Sequence, residues 1–216
     1  PFVQRARGVG ALLGTQERDG RRDGLSRGRD GFHPHAQSYS RIPSGHPEGY
    51  FEAFARDWSP LDDLRLSEKD ANEAKTMNTH LHVLEAYTTL LQAAPEKEVR
   101  EALRSLVVLF LEKFIDPGTF HLRLFFDENW ALKSDIISFG HDIETAWLLC
   151  EAAKALGEAD LTEKVRAVAV RIADRTLIEG IDSLDGGLWN EADAQSLTDR
   201  NKDWWPQAEA VVGFLN

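Results

Sequence analysis

Two histidines, three glutamates and several tryptophans recur along this chain at spacings that place them on the faces of helices. They lie in MNTHLHVLEAY (77–87), SFGHDIETAW (138–147) and DWWPQAEAVVGF (203–214). His82 and His141 are 59 residues apart, and His141 and Trp205 are 64 apart, so a unit of roughly 60 residues returns to one wall of a shared cavity. In the first stretch His80 and His82 stand about 200° apart around a helix, which excludes an HxH metal pair facing one site. His82 and Glu85, at i and i+3, do share a face, with Asn78 one turn earlier. His141 and Glu144 repeat that relation, with Trp147 continuing the same face. Trp205 and Glu209, at i and i+4, supply a third stripe. A lone histidine in a helix is ordinarily a core residue with its polar atoms satisfied. Glutamate at three equivalent places is not what core packing asks for, because a buried carboxylate is costly unless paired. Asp142 lies off this face and is expected at the surface or at the positive end of its helix.

The elements that must carry these residues are amphipathic helices. A first helix is predicted over 78–93, with Leu81, Leu84 and Leu91 among its apolar positions and Pro95 at its end. A second covers 96–114, where Val99, Leu103, Leu106, Val107 and Phe110 follow the i, i+3, i+4, i+7 pattern. The pair forms an αα-hairpin. Asp116-Pro117-Gly118 stops it, and HLRLFFDENW (121–130) has the aromatic content of a short strand or β-hairpin in a long loop. The plan then repeats, with a helix over 138–156, a tight turn at Gly157 and a helix over 160–178. Asp160-Leu-Thr-Glu163 has the spacing of a capping box. After a long loop a third helix opens near Trp205, with Pro206 in its first turn. Short turns at one end and long loops at the other are the plan of an all-α (α/α) barrel or toroid, of which this chain holds a part.

Composition narrows the function classes. The chain has 216 residues, 28% of them charged, and no apolar run of the roughly 18 residues that would span a bilayer. The net charge of −11 disfavours nucleic acid and anionic membranes as partners, since those reward clustered Lys and Arg. The single cysteine, Cys150, cannot form an intrachain disulfide and is expected as a buried thiol, so cytoplasmic placement is favoured. Residues 1–46 hold eight Arg, no Lys, four acidic residues and eight of the sixteen Gly, giving +4, against −15 for the remainder. The chain therefore divides at residues 1–48, an Arg/Gly-rich segment expected to be disordered or translated out of frame, and 49–216, a patterned domain.

NTHLHVLEAYT, SFGHDIE and WWPQAEAVVGFLN resemble the cellobiose 2-epimerases of the N-acylglucosamine 2-epimerase superfamily, from about Gly49 to Asn216. The resemblance implies a partial (α/α)6 barrel and epimerisation at C2 of the reducing-end glucose of a β-1,4-linked disaccharide, without metal or other cofactor. It implies ring opening, removal of the C2 proton to give an enediolate, and return of a proton to the other face. Histidine suits such steps, because its pKa near 6.5 lets it give and take protons at neutrality. By resemblance His141 is an acid/base oriented by Glu144. His82, with Asn78, binds the carbonyl or enediolate oxygen, where preorganised donors matter most. Trp147 and Trp205 stack on sugar faces and Glu209 binds hydroxyls. Trp130 and Trp189 lie on loops expected to rim the cavity, while Trp58 is expected to pack. Residues 1–46 do not resemble the family, whose first helices supply a substrate-binding arginine, and the family's C-terminal helices, with a further catalytic histidine, are absent.

A monosaccharide 2-epimerase or aldose-ketose isomerase of the same superfamily is the alternative within enzymes. A glycoside hydrolase would need a dedicated carboxylate pair, whereas the acids here accompany histidines. An inactive sugar-binding fragment is the non-enzyme alternative. The 216 residues alone are expected not to turn over cellobiose, because an open ring lacks part of the acid/base set; detecting glucosyl-mannose after incubation would overturn this.

Overall fold

Helix α1 (Met77–Ala93) opens directly from strand β1 (Lys75–Thr76), and this junction sets the pattern for the rest of the chain. The computed structural model describes residues 49–68 and 70–216, so the Arg/Gly-rich segment, residues 1–48, lies outside the described residues. Thr76 is the N-cap of α1 and its side chain accepts from the Thr79 N–H at 3.1 Å. Leu81, Leu84 and Leu91 are buried on α1, as their spacing predicts. Helix α2 (Lys97–Leu109) buries Val99, Leu103, Leu106 and Val107 and widens into a π-helical turn over Phe110–Phe114. Helix α3 (Phe139–Leu156) ends at Gly157, whose φ of 68° suits a residue without Cβ, and helix α4 (Ala159–Arg175) follows. A second π-helical turn, Thr176–Gly180, closes α4, and helix α5 (Trp204–Leu215) comes last among the described residues.

The capping box expected at Asp160 and Glu163 does not form. Helix α4 starts one residue earlier, its N-cap is Glu158, and no side chain caps it. Asp160 sits inside the first turn, where its charge complements the helix dipole instead of capping. The strand expected within 121–130 is β2 (Phe125–Phe126), which pairs antiparallel with β1 and, through Phe126, also bridges Leu132 of its own loop. A second β-hairpin lies further on. Strands β4 (Glu191–Ala192) and β5 (Leu197–Asp199) form it, and β3 (Ile137–Ser138), just before α3, pairs with β4.

The two helical hairpins therefore end alike. After each π-helical turn an isoleucine bridges a leucine seven residues on, Ile115 with Leu122 and Ile181 with Leu188. Asp116 Oδ1 accepts from the N–H groups of Gly118 and Thr119, and Asp182 Oδ1 does the same for Leu184 and Asp185. The chain then supplies a strand that pairs with the residues preceding α1 (β2) or α3 (β4). Backbone pairing thus fixes where each of these two helices begins.

Helix α3 is apolar on nearly every side, as a helix enclosed by others must be. Ile143, Leu149, Ala152 and Ala153 are fully buried, and α3 packs against α1, α2, α4 and α5. Two glycines permit close approach to α5. A Cβ at Gly140 would stand 2.6 Å from the Trp205 ring, and one at Gly213 would stand 2.5 Å from the Ile143 side chain. Cys150, expected to be buried, is only partly so. Trp58, expected to pack, sets its ring against Phe54 while 38% of it stays exposed.

Asp142 is not at the surface. It is fully buried, with Oδ2 2.7 Å from Nδ1 of buried His121 and Oδ1 accepting from the Leu122 N–H at 2.9 Å. His121 Nε2 lies 3.1 Å from Glu179, which also pairs with Arg175. Burial opposes a charge on His121, but Asp142 and then Glu179 hold its pKa above the ordinary histidine range. This cluster ties the first turn of α3 to the loop after α2 and to the π-helical turn after α4. His121→Ala is expected to destabilise the domain by about 3–5 kcal/mol in urea unfolding, because it leaves a carboxylate buried without its partner. Adding Asp142→Asn should recover part of that loss.

Candidate active site

Each residue of the candidate site is placed by one of three neighbouring helices, α1, α3 and α5, with α3 in contact with both others. On α1, His82 Nδ1 lies 3.5 Å from Glu85 Oε2, so the i, i+3 pair meets as its spacing predicts. On α3, His141 lies in the first turn, its ring 4.9 Å from that of Trp205 on α5. Nearly two turns on, the Trp147 indole N–H donates to Glu209 Oε2 at 2.8 Å, joining α3 to α5. Glu144 lies between these pairs. Its pKa is raised to about 7, chiefly by burial and then by the charge of Glu209, with Glu85 adding to the rise and His82 opposing it.

The His141 ring is held by a residue that the spacing did not single out. Ser138 Oγ lies 2.8 Å from His141 Nδ1, whereas Glu144, the expected orienting group, belongs electrostatically with Glu209, His82 and Glu85. Serine three residues before a histidine at a helix start reads as an N-cap, which hides this role in the sequence. Burial, with the nearby His82, lowers the His141 pKa to about 4, so the ring is neutral at pH 7. A neutral imidazole pinned through one nitrogen offers the other for proton transfer.

Asn78 and His141 open on a cavity of about 70 Å³ that Glu52, Arg65, Asp70 and Phe125 also line. Thr76 Oγ1 donates to Glu52 Oε2, while Glu52 Oε1 is buried without a partner among the described residues. His80, two residues from His82, turns the other way. Its Nδ1–H donates to the Thr76 carbonyl at 2.6 Å and its Nε2 accepts from the Tyr50 N–H at 2.8 Å, so it ties the entering chain to α1. Trp130 joins that assembly. Its ring packs on His80, Phe114 and Phe126, beneath the Lys75 ammonium at 4.5 Å. Trp189 lies under Lys202, 4.7 Å away, and packs on the small apolar cluster around Phe139 and Leu188. Among the described residues no group of three or more His, Cys, Asp or Glu is arranged to hold a metal ion, and no helix is long and apolar enough to cross a membrane.

Paired helical hairpins that bring histidine, glutamate and tryptophan together from neighbouring helices define the domain, and comparison with known proteins gives its family. Residues 49–215 match the N-acylglucosamine 2-epimerase (GlcNAc 2-epimerase) family, to which the chain belongs. It is 46% identical over 172 residues to the cellobiose 2-epimerase of Bacteroides fragilis, an alignment covering 80% of this chain and 44% of that protein. Among solved structures it resembles a sugar epimerase from a ruminal bacterium, with a TM-score of 0.73 and 39% identity over 78% of this chain and 42% of that one. It also resembles the cellobiose 2-epimerase of Bacillus thermoamylovorans, with a TM-score of 0.73 and 36% identity over 84% of this chain and 47% of that one. The chain thus spans less than half the length of these relatives.

Glu144 provides a pH test of this geometry. Its folded pKa of about 7 exceeds the ordinary 4.5, so the folded state holds the proton more tightly and loses stability as pH rises from 4.5 to about 7. Glu144→Gln is therefore expected to become progressively more stable than the parent chain across that interval, with the difference level above it. Denaturant midpoints of the two proteins measured from pH 4 to 8 check this.

Proposed function

We propose that residues 49–216 form part of an (α/α)6 barrel that inverts C2 of the reducing-end glucose of a β-1,4-disaccharide, converting cellobiose to glucosyl-mannose. The observation that carries this reading is the convergence of His82, Glu144, His141 and Trp205 from three helices beside a cavity containing Asn78. Membership of the family and likeness to proteins named cellobiose 2-epimerase support it.

In this reading the ring opens to an aldehyde whose C2 proton His141 removes through Nε2, leaving an enediolate. Burial suits His141 to this step by keeping it neutral and able to accept. His82 and Asn78 donate to the oxygen on which charge develops. Rotation about C2–C3 presents the opposite face, and a proton returned there completes the inversion. Glu144, whose pKa of about 7 makes it acid and base at neutrality, bonds sugar hydroxyls with Glu209, and Trp147 and Trp205 bear on the sugar faces. Protonation of the same enediolate at C1 would instead yield the ketose, which is the aldose-ketose alternative.

The assay uses the protein encoded by the intact reading frame containing these residues, incubated with cellobiose in D2O. NMR should show glucosyl-mannose carrying deuterium at C2, and His141→Asn should lower kcat/KM by about 10²–10⁴-fold. Release of free glucose would overturn the proposal in favour of hydrolysis. Glucosyl-fructose as the sole product would overturn it in favour of isomerisation.

A further inference from the structure

The two strand-to-helix junctions are built alike but use their hydroxyls differently. Thr76, at the end of β1, caps α1 by accepting from the Thr79 N–H. Ser138, at the end of β3, is the N-cap of α3 and occupies the same structural place, yet its side chain caps nothing. A side-chain cap ordinarily stabilises a helix start, and α3 forgoes it. The hydroxyl reaches instead to the residue three positions on, with Oγ 2.8 Å from His141 Nδ1. Ser138 is only 4% exposed, and its backbone pairs with Glu191 across β3 and β4, so the hydroxyl is firmly placed.

We propose that Ser138 is a positioning residue for the reaction put forward above, its Oγ accepting the His141 Nδ1–H so that Nε2 is left bare to take the sugar proton. The purpose of the contact rests on that functional reading, and the accepting role of the hydroxyl is the proposal's own. Which imidazole nitrogen carries the proton is set by the bond the other makes. An unconstrained imidazole favours the proton on Nε2, the form that cannot act as a base there, so Ser138 works against the intrinsic preference. Once Nε2 accepts a proton, Nδ1–H still donates to the same oxygen, and the bond strengthens as its donor becomes cationic. No rearrangement is needed between the two states. The contrast with His121 is instructive: there a carboxylate faces Nδ1 and favours the charged ring, whereas a neutral hydroxyl orients His141 without forcing it to stay protonated.

The test reads the tautomer and the rate separately. In the 216-residue chain labelled with 15N-histidine at pH 7, His141 should show a protonated Nδ1 and an unprotonated Nε2. Ser138→Ala should move both resonances towards the Nε2–H form, and Ser138→Thr, which keeps a hydroxyl where the fold already accepts Thr76, should return them. The thermal midpoint of Ser138→Ala should stay close to that of the parent, because no cap is lost. In the protein from the intact reading frame, Ser138→Ala should lower kcat about tenfold with KM within about twofold, and Ser138→Thr should restore most of the rate. An Nε2–H tautomer in the parent, or an unmoved tautomer in Ser138→Ala, overturns the proposal. The expected tautomer shift in a protein without epimerase activity upholds the Ser138 contact and overturns the functional reading.

Discussion

The burial of Asp142 is the constraint on which the remainder of this structure depends. A carboxylate with no exposure is tolerable only because His121 and the Leu122 N–H satisfy both of its oxygens. Those partners come from the loop that follows α2, and His121 in turn reaches Glu179 in the π-helical turn after α4. The first turn of α3 is thereby fixed relative to both helical hairpins. Because α3 touches α1, α2, α4 and α5, fixing its start fixes the faces that the other helices present. The site residues on α1 and α5 are positioned against a helix that cannot shift along its axis without exposing an unpaired charge.

A division of labour follows along the first turn of α3. Asp142 points into the protein and anchors, whereas its neighbour His141 faces Trp205 and the cavity. Gly140, one residue earlier, lets the Trp205 ring lie where a side chain would otherwise stand. Three consecutive residues thus supply close approach, a histidine facing the cavity and an anchor, each on a different side of one helical turn. A register error of one residue would exchange these roles, which gives a physical reason for the strand pairing immediately before the helix.

The histidines show how much burial and partners decide. His80 and His141 are both lowered to about 4, chiefly by burial, but both ring nitrogens of His80 are bonded to backbone groups, while His141 is bonded through Nδ1 only. The first arrangement is structural and the second leaves a nitrogen available for chemistry. His121, flanked by two carboxylates, moves in the opposite direction and serves the fold. Residue type alone would treat the three alike.

Periodicity made the helices legible because α1 to α4 have faces or cores of ordinary spacing, and the recurrence of histidine and glutamate near 60 residues placed His82, His141 and Trp205 on neighbouring helices. It could not reveal the pairing of β1 with β2 or of β3 with β4, since strands of two residues carry no period and their partners are about 50 residues away. It placed Asp142 at the surface or at the positive end of its helix, and the second holds, but nothing local signals His121, 21 positions away. It read Asp160 and Glu163 as a capping box, although the helix begins a residue early. What the sequence by itself determined was the set of helices and which residues share their faces, because these depend on neighbours within one or two turns. Which buried charge is satisfied, which histidine keeps a free nitrogen and which serine turns from capping to orientation were decided only by tertiary structure, because burial and hydrogen bonding at those groups depend on partners distant in the chain.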